Sequence, residues 1–398
     1  MDKIDELLTR RVDTVYPTKE ALEKVLRSGK KLRMYQGFDP SGIQLHIGHL
    51  TGLLKLKQFQ DLGHHVIFLV GDGTGQAGDP SGKTRTRDKY LSRDELRQNA
   101  KDYLMQASKI VSFDGDNPAE ILYNSDWLNE LKLVDILNIA DHFTLQQLEE
   151  RDMFIERKKL GEEINFREFM YPLLQGYDSA AMKVDLELGG SDQMFNMLAG
   201  RKLVKEIQNR EKFVMTTPLL TDASGKKIGK TEGNVIALTA PPPQFYGMIL
   251  SLSDDVIGKA FEYITEIPME EVMEISQKLA QGENPMTLKK KLAWTLTAML
   301  NSYEEADEAQ MQFENIVQKG SLPEDIPVFE ISSGSILLTD LLVNSKLTNS
   351  KSEAKRLIEQ GGVEVNEKKI TDTQSIIKPV RNMIVKAGKR KFIKLGTK

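Results

Sequence analysis

The chain has 398 residues and a mass of 44.9 kDa, long enough for two or three domains that bury their cores without cross-links. It contains no cysteine, which excludes a disulfide scaffold, a thiolate nucleophile and any zinc-finger or iron–sulfur site. The net charge of −4 hides an asymmetry, because residues 334–398 hold 14 basic and 6 acidic residues and the remainder holds 40 and 52. The basic tail indicates contact with a polyanion, although a solvated tail explains the charge equally well.

The apolar segments are too short to cross a membrane, since residues 66–70 form one of the longest and a membrane helix needs about 18. The first eleven residues alternate in charge and lack an apolar stretch, so they do not resemble a signal peptide. We therefore expect a cytoplasmic protein.

Two apolar segments, residues 34–38 and 65–70, are predicted to be buried strands, with a helix between them over residues 47–62. Gly63 follows this helix where a C-terminal cap belongs. A strand–helix–strand unit of this size is typical of a βαβ crossover, so we expect a parallel sheet. The further predictions, in chain order, are helical sequence over 92–150, no assignment for 151–166, strands at 184–188 and 213–220, helices over 243–318, a helix at 350–360 and a strand at 363–366.

Two motifs in the first ninety residues have the glycine spacing of phosphate-binding loops. GTGQAG at residues 73–78 matches a dinucleotide fingerprint, but Asp79 and Pro80 follow where a helix should receive a pyrophosphate. The pattern A-x4-GKT at residues 77–84 is a relaxed phosphate loop, in which Pro80 removes one backbone N–H and Asp79 adds negative charge. Both interpretations are weak for these reasons.

A third motif, LHIGHL at residues 45–50, follows a strand and opens the first long helix. His46 and His49 are three residues apart, so their imidazoles share one face of a helical N-terminus that also favours anions. Gly48 lets a flat group approach the backbone closely. The arrangement suits phosphate charge that grows in a transition state, whereas a pair of surface histidines is the alternative.

The segment KKIGKT at residues 226–231 favours the phosphate interpretation of this third motif. Lys227 and Lys230 would supply two flexible cations to a leaving pyrophosphate, although most such basic loops are simply solvated. The two motifs together resemble the two-part pattern of the class I aminoacyl-tRNA synthetases. Here KIGKT replaces the commoner KMSKS and keeps both lysines and the hydroxyl of Thr231.

Further segments resemble those of the bacterial tyrosyl-tRNA synthetases in the same order along essentially the whole chain. They are YQGFDP at 35–40, GDPSGK at 78–83, YPLLQGYD at 171–178, GGSDQ at 189–193 and a basic C-terminal segment of the S4 RNA-binding type. The resemblance implies an α/β protein, in which a Rossmann-like parallel-sheet catalytic domain with an inserted helical segment precedes an all-helical domain and a small α+β domain. The expected division is a catalytic domain at 1–240 with its insertion at about 110–170, a helical anticodon-side domain at 241–320, a linker at 321–333 and an S4-like domain at 334–398.

Tyr171, Gln175 and Asp178 have the spacing of one helical stripe, and an unpaired carboxylate is rare in a buried face. A solvated polar face is the alternative. The resemblance implies that Tyr35 and Asp178 bind the phenol of tyrosine and that Asp79, Tyr171 and Gln175 bind its ammonium group. In full it assigns His46, His49, Lys227, Lys230 and Thr231 to catalysis; Asp39, Gly48, Gly190 and Asp192 to ATP; Tyr35, Asp79, Tyr171, Gln175, Asp178 and Gln193 to tyrosine; and Lys351, Lys355 and Arg356 to tRNA.

The implied activity is that of a tyrosine–tRNA ligase, which forms tyrosyl-adenylate from L-tyrosine and ATP and transfers tyrosine to the 3′-terminal adenosine of tRNA(Tyr). The resemblance also implies a homodimer, and Mg²⁺ is expected to accompany ATP without a structural metal site. Three alternatives stay open: a tryptophanyl-tRNA synthetase, another nucleotidyltransferase with a HIGH-type motif, and a catalytically inactive RNA-binding relative. We also expect that removing the residues after Pro327 weakens tRNA charging and spares adenylate formation.

Overall fold

The computed structural model describes residues 2–81, 89–228, 235–315, 327–331, 334–366, 368–388 and 391–397. The chain divides into two compact units, Met1–Glu305 and Ala306–Lys398. The helical segment that follows the sheet belongs mainly to the first unit, and the four-part division into domains stays a prediction.

A six-stranded sheet forms the centre of the first unit, with strand order β1-β6-β5-β2-β3-β4. All neighbours run parallel except β1, which pairs antiparallel with β6. The chain passes outward from β2 to β4 and then returns to the other side of β2, so ligands are expected between the carboxyl ends of β2 and β5. The strands are β1 (Thr14–Tyr16), β2 (Arg33–Phe38), β3 (His65–Val70), β4 (Glu120–Tyr123), β5 (Leu186–Gly190) and β6 (Phe213–Thr217).

The predicted βαβ unit is present, with one difference at the start of its helix. A single 3-10 turn, Ile47–His49, precedes the α-helix Leu50–Asp61, because the two histidine side chains occupy the backbone N–H groups of this turn. Gly63 follows in the left-handed conformation, with φ of 76°, as a glycine C-terminal cap requires. The parallel register of β2 and β3 confirms the parallel sheet.

Helices form most of the rest of the first unit, and the last of them, α16, continues into the second unit. The prediction that residues 92–150 are wholly helical is wrong, because β4 lies within them as a half-exposed edge strand without an apolar run. Residues 151–166, for which the sequence gives no assignment, contain a helix. The helices are α1 (Lys3–Leu7), α2 (Lys19–Arg27), α3 (Leu50–Asp61), α4 (Thr74–Ala77), α5 (Arg93–Ala107), α6 (Ser125–Leu128), α7 (Leu133–Ala140), α8 (Leu145–Glu149), α9 (Asp152–Leu160), α10 (Phe166–Ala181), α11 (Met194–Gln208), α12 (Pro242–Leu250), α13 (Ile257–Ile264), α14 (Met269–Ala280), α15 (Pro285–Leu300) and α16 (Tyr303–Phe313).

The second unit contains a five-stranded sheet of order β10-β9-β12-β13-β7 and a two-stranded sheet of β8 and β11. Leucine, isoleucine and valine side chains of its helices and strands form a separate apolar core. Its helix at Lys351–Glu359 begins after the N-cap Ser350, within one residue of the prediction. The elements are β7 (Val328–Ile331), β8 (Ile336–Leu337), α17 (Leu338–Asn344), α18 (Lys351–Glu359), β9 (Val363–Val365), β10 (Lys368–Ile370), β11 (Ile376–Ile377), β12 (Ile384–Ala387) and β13 (Lys391–Thr397).

A buried histidine at the base of the sheet predicts a pH-dependent stability. Burial lowers the pKa of His64 to about 4, with a smaller contribution from Lys31. The pKa of an unfolded histidine is near 6.5. Between pH 6.5 and pH 4 the unfolded state therefore binds a proton at His64 that the folded state does not bind. The contribution of His64 to stability is therefore complete well above pH 6.5 and falls as the pH drops towards 4, by about 2 kcal/mol between pH 7.5 and pH 5.

Replacing His64 by asparagine removes the proton and keeps an acceptor for the Leu32 N–H, which donates to His64 Nδ1 at 3.1 Å. Urea unfolding at pH 7.5 and pH 5 measures the effect. The decrease in the free energy of unfolding from pH 7.5 to pH 5 should be smaller in His64→Asn. It should persist in His65→Asn, which changes the exposed neighbouring histidine. An identical loss in both variants would contradict the assignment to His64.

Candidate active site

A cavity of about 490 Å³ lies at the carboxyl ends of β2 and β5, where the order of the strands reverses. Its apolar lining includes Phe38, Leu69 and Leu188, and its polar lining comes from α10, from β2 and β5 and from loops after the strands. It brings together most of the predicted site residues: Tyr35, Asp39, His46, His49, Asp79, Tyr171, Gln175, Asp178, Gly190 and Gln193.

Asp178 is the buried carboxylate at one end of this cavity. Its Oδ2 accepts a hydrogen bond from Asn124 Nδ2 at 3.0 Å, and its Oδ1 accepts one from Trp127 Nε1 at 2.7 Å. Burial raises the pKa of Asp178 well above its usual value, and the two hydrogen bonds oppose that rise. Each oxygen of an ionised carboxylate can accept about two hydrogen bonds, and Asn124 and Trp127 each supply one. Asp178 can therefore accept a further hydrogen bond from the hydroxyl group of a ligand.

Tyr35 lies on β2 and is fully buried beside this carboxylate. Its hydroxyl is 2.9 Å from Ser179 Oγ. Burial raises the pKa of Tyr35 well above 10, with Glu187 and Asp178 adding to the rise, so the phenol stays neutral. A neutral hydroxyl can both donate and accept, which suits a site that recognises another hydroxyl.

The other polar side of the cavity is rich in carboxylates. Tyr171 donates to Asp39 Oδ2 at 2.9 Å, and Thr74 donates to Asp39 Oδ1 at 2.8 Å. Gln193 Nε2 donates to Asp79 Oδ2 at 2.9 Å. Two carboxylates within one polar wall attract a cation, so this wall suits an ammonium group.

Asp39 therefore lies against a residue predicted to bind tyrosine, although the family resemblance assigns Asp39 to ATP. Its role in ATP binding stays a prediction.

The HIGH motif is organised by its own side chains. His46 Nδ1 accepts from the Gly48 N–H at 3.2 Å, and His49 Nδ1 accepts from the His46 N–H at 3.1 Å. In the neutral rings the proton is therefore on Nε2 in both residues. The ring centroids are 4.0 Å apart, so two imidazole donors stand side by side in the lining of the cavity. Paired N–H donors of this kind stabilise developing negative charge.

Lys227 lies at the start of the second motif. Its Nζ is 2.6 Å from Asp192 Oδ2, which joins the motif to the GGSDQ loop. A Cβ on Gly190 would lie 2.7 Å from Asp192 Oδ1 and 3.1 Å from Leu219 Cδ2, so a larger residue there would require these side chains to shift. After the motif, Ile236–Leu238 runs beside HIGH, since Ile47 N–H donates to Ile236 O at 3.0 Å. Lys230 and Thr231 lie outside the described residues.

Comparison with known proteins identifies the family. Residues 27–318 match the model of the class I tRNA synthetases for tryptophan and tyrosine, and residues 317–395 match the C-terminal domain model of SYY-like tyrosine–tRNA ligases. A tyrosine–tRNA ligase of Dehalococcoides mccartyi is 42% identical over 99% of this chain and 98% of that protein. That of Thermotoga maritima is 40% identical over 98% and 96%.

The chain belongs to the tyrosine–tRNA ligase family.

Solved structures of other tyrosyl-tRNA synthetases share the fold of this family member. The enzyme of Archaeoglobus fulgidus complexed with L-tyrosine has a TM-score of 0.63 at 22% identity, and covers 77% of this chain and 98% of its own. The truncated mitochondrial enzyme of Coccidioides posadasii has a TM-score of 0.62 at 24% identity, with 78% and 91% covered. The tryptophanyl alternative is not favoured, since these curated relatives are tyrosine–tRNA ligases.

The predicted RNA-binding helix of this tyrosine–tRNA ligase family member is α18. Ala354 and Ile358 are buried and Leu357 is partly buried, so the opposite side of the helix faces solvent. Lys355 and Arg356 are exposed, whereas Lys351 Nζ is 2.6 Å from Asp340 Oδ1. The net positive charge of this surface therefore comes mainly from Lys355 and Arg356.

Sequence reasoning did not find the residues that support the predicted ligands. Asn124 and Trp127 follow β4, and ligands bind at the carboxyl ends of parallel strands. A prediction of β4 would therefore have indicated both residues. The Gly73 N–H donates to Asn124 Oδ1 at 2.7 Å. A Cβ on Gly73 would lie 3.0 Å from Asn124 Oδ1 and 3.1 Å from Ser125 Cα, so the close approach of these segments explains the glycine at this position.

Membrane spans and metal clusters are both absent from the described ranges of the chain. No helix there is long and apolar enough to cross a membrane. Nor do the residues described bring together three or more side chains able to hold a metal ion.

Proposed function

We propose that this protein activates L-tyrosine with ATP and transfers it to tRNA, the activity for which its relatives are named. The observation that carries the proposal is the buried Asp178, held by two N–H donors beside the Tyr35 hydroxyl. A phenol that donates to this fixed acceptor binds favourably. A ring without a hydroxyl group leaves the buried polar groups unpaired. A phenol hydroxyl can donate to Asp178 and also accept from Tyr35, whereas the N–H of an indole can only donate.

In the first step, the carboxylate of tyrosine attacks the α-phosphorus of ATP, and pyrophosphate leaves. Asp178 and Tyr35 hold the phenol, while Asp79, Tyr171 and Gln175 hold the ammonium group. His46 and His49 donate from Nε2 to the phosphate oxygens, whose charge grows in the transition state. Positioning and charge stabilisation supply most of the catalysis, since no enzyme nucleophile is required.

ATP binding is proposed to rearrange the contact between Lys227 and Asp192. The ribose hydroxyls would compete for the Asp192 carboxylate, and the released Lys227 ammonium would reach the phosphates. Mg²⁺ would enter with ATP, held largely by phosphate oxygens and water. In the second step a ribose hydroxyl of the 3′-terminal adenosine of tRNA(Tyr) attacks the carbonyl carbon of tyrosyl-adenylate, so that the tyrosyl ester forms and AMP leaves. We also propose that the protein acts in the cytoplasm.

Aminoacylation of unfractionated bacterial tRNA tests this proposal. Purified protein with ATP and Mg²⁺ should attach radiolabelled tyrosine to acid-precipitable tRNA, whereas tryptophan and phenylalanine should give background counts. A preparation that attaches tryptophan would favour the sister enzyme. Folded protein that binds tRNA and charges it with none of the three would favour the inactive RNA-binding relative.

We further propose that the functional unit is a homodimer formed through the inserted helices. Leu133 and Leu137 lie one turn apart on α7 and are 73% and 59% exposed. Val134 on the same helix is also exposed, and exposed apolar side chains follow on α8, α9 and α10: Leu145, Leu160 and Phe166. Exposed apolar side chains on consecutive helices favour contact with a second copy of the chain, since a two-fold axis places the same surface on both subunits.

The double variant Leu133→Glu/Leu137→Glu is expected to halve the molecular mass measured by light scattering. Two carboxylates in an apolar interface cost several kcal/mol of association energy. Met273→Glu is the control, because Met273 on α14 is also exposed, at 58%. A double variant that keeps the mass of the unmodified protein would show that α7 is not the interface.

Helix α18 is proposed to contact tRNA phosphates. Lys355→Gln/Arg356→Gln should raise KM for tRNA about tenfold and reduce the salt dependence of that KM, since about two counterion-releasing contacts are lost. ATP–pyrophosphate exchange should be unchanged. Lys19→Gln/Lys24→Gln, which removes two exposed charges from α2, should leave KM for tRNA unchanged. Equal effects of the two variants would show a general charge effect without a site on α18.

A further inference from the structure

A fully buried lysine lies behind the cavity, and no step of the proposed reaction uses it. Lys212 directly precedes β6 and is 0% exposed. Its ammonium donates to Ser179 Oγ at 2.7 Å, to Met197 O at 3.3 Å and, over a short distance, to Glu187 Oε2. The three N–H donors of the ammonium thus have three acceptors, as a buried charge requires.

Glu187 on β5 is the counter-ion, and it also lines the cavity. Its second oxygen, Oε1, accepts a hydrogen bond from Gln175 Nε2 at 3.0 Å. Because an ionised carboxylate only accepts, it determines which end of the Gln175 amide faces it. The other end, Gln175 Oε1, is buried without a hydrogen-bond partner among the described residues. An orphaned amide oxygen in the wall of a cavity suits a cationic N–H donor.

The same ammonium reaches the phenol end of the cavity through Ser179. Ser179 Oγ accepts from Lys212 and lies 2.9 Å from the Tyr35 hydroxyl. It also lies 3.2 Å from Glu187 Oε2. One buried ion pair is therefore connected to side chains at both ends of the site.

The helix facing this pair leaves room for it. A Cβ on Gly200 of α11 would lie 2.7 Å from Lys212 Nζ and 2.8 Å from Ser179 Oγ, so a larger residue there would displace the ammonium or the serine hydroxyl.

We infer that Lys212 and Glu187 are positioning residues for the amino acid: the ion pair orients the Gln175 amide so that its oxygen receives the substrate ammonium group, and holds the Tyr35 hydroxyl through Ser179. The inference rests on the proposed function, since it takes Gln175 and Tyr35 as ligands of tyrosine. Neither member of the pair contacts the reacting atoms, so their effect is on binding of the amino acid and not on the chemistry at phosphorus.

The double variant Lys212→Met/Glu187→Gln tests this inference without leaving a buried charge unpaired. A glutamine at 187 can face Gln175 with either end of its amide, so the orientation of Gln175 is lost. In tyrosine-dependent ATP–pyrophosphate exchange, KM for tyrosine should rise about 10–100-fold, with kcat and KM for ATP within about threefold of the unmodified values.

Two competitive inhibitors separate positioning from packing. Tyramine carries the ammonium group and 3-(4-hydroxyphenyl)propanoate lacks it. In the double variant the inhibition constant of tyramine should rise at least about fivefold more than that of the propanoate, since the ammonium contact is the one that depends on Gln175.

Lys55→Met is the control, because it makes the same substitution at another lysine that is 0% exposed. The Lys55 ammonium donates to two backbone oxygens away from the cavity lining, Leu7 O and Arg10 O. That variant should lower the melting temperature and leave the ratio of the two inhibition constants unchanged.

A double variant in which both inhibition constants rise equally, or neither changes, would overturn the inference and leave the proposed function intact. Failure of the proposed function would look different, because the unmodified protein would then show no tyrosine-dependent exchange, which would overturn both.

Discussion

Replacing Asp178 by asparagine is expected to lower kcat/KM for tyrosine in ATP–pyrophosphate exchange by about 10³-fold. An asparagine keeps the size of the side chain but turns an N–H₂ group towards Asn124 or Trp127, which are themselves donors. The acceptor for the phenol is lost, and an unpaired donor is created in a buried place. The value of kcat/KM for phenylalanine should change by less than about threefold, because phenylalanine has no hydroxyl group to donate to that acceptor.

The expected loss can be compared with a general property of the family. Tyrosyl-tRNA synthetases as a class reject phenylalanine by about 10⁵-fold without editing. In Asp178→Asn the ratio of kcat/KM for tyrosine to kcat/KM for phenylalanine should therefore fall by roughly the same factor as kcat/KM for tyrosine. Asp114→Asn, at an exposed carboxylate that does not line the cavity, serves as the control. An Asp178→Asn protein that keeps the tyrosine-to-phenylalanine ratio would contradict the assignment.

The pH profile of the unmodified protein provides a second measure of Asp178. Tyrosine binding needs the carboxylate form as an acceptor, and burial raises the pKa of Asp178. Lowering the pH therefore protonates Asp178 sooner than an ordinary aspartate, and kcat/KM for tyrosine should decline at a correspondingly higher pH. The decline should move or disappear in Asp178→Asn.

Replacing His46 by alanine or asparagine is expected to reduce kcat for adenylate formation by about 10²–10³-fold. Both changes remove the Nε2–H donor that is proposed to stabilise charge on the phosphate. KM for tyrosine should stay within about threefold, because the phenol and ammonium contacts are made elsewhere in the cavity.

The two His46 variants differ in what they do to the fold. Asparagine can still accept from the Gly48 N–H, as His46 Nδ1 does at 3.2 Å, whereas alanine cannot. The melting temperature should therefore fall for His46→Ala and change little for His46→Asn, while kcat falls in both. If His46→Asn restored kcat, the histidine would be a cap for the helix and not a catalytic donor.

Local patterns in the sequence predicted the elements that build the core of the site. The apolar segments at β2 and β3, with Gly63 between them, specify a βαβ unit through hydrophobic periodicity and a left-handed cap. The helical spacing of Tyr171, Gln175 and Asp178 likewise predicts one stripe on α10, and all three line the cavity. Both inferences needed only residues close together along the chain.

Contacts between distant segments could not be predicted in this way. Asn124 and Asp178 are 54 residues apart, and Lys212 and Glu187 are 25 apart, so their pairing depends on the order of the strands in the sheet. The edge strand β4 was itself missed, because a half-exposed strand with a leading glutamate lacks the apolar run of a central strand. Without β4, no pattern indicated that Asn124 lies at a carboxyl end beside the cavity.

The most direct measurement is ATP–pyrophosphate exchange by the purified protein with Mg²⁺, scanned over the twenty amino acids one at a time. We predict exchange with tyrosine and none above background with the others, because the cavity rewards a phenol and an ammonium group together. Exchange with tryptophan would contradict the roles given to Tyr35 and Asp178. No exchange with any amino acid, by protein shown to be folded, would contradict the proposed activity itself.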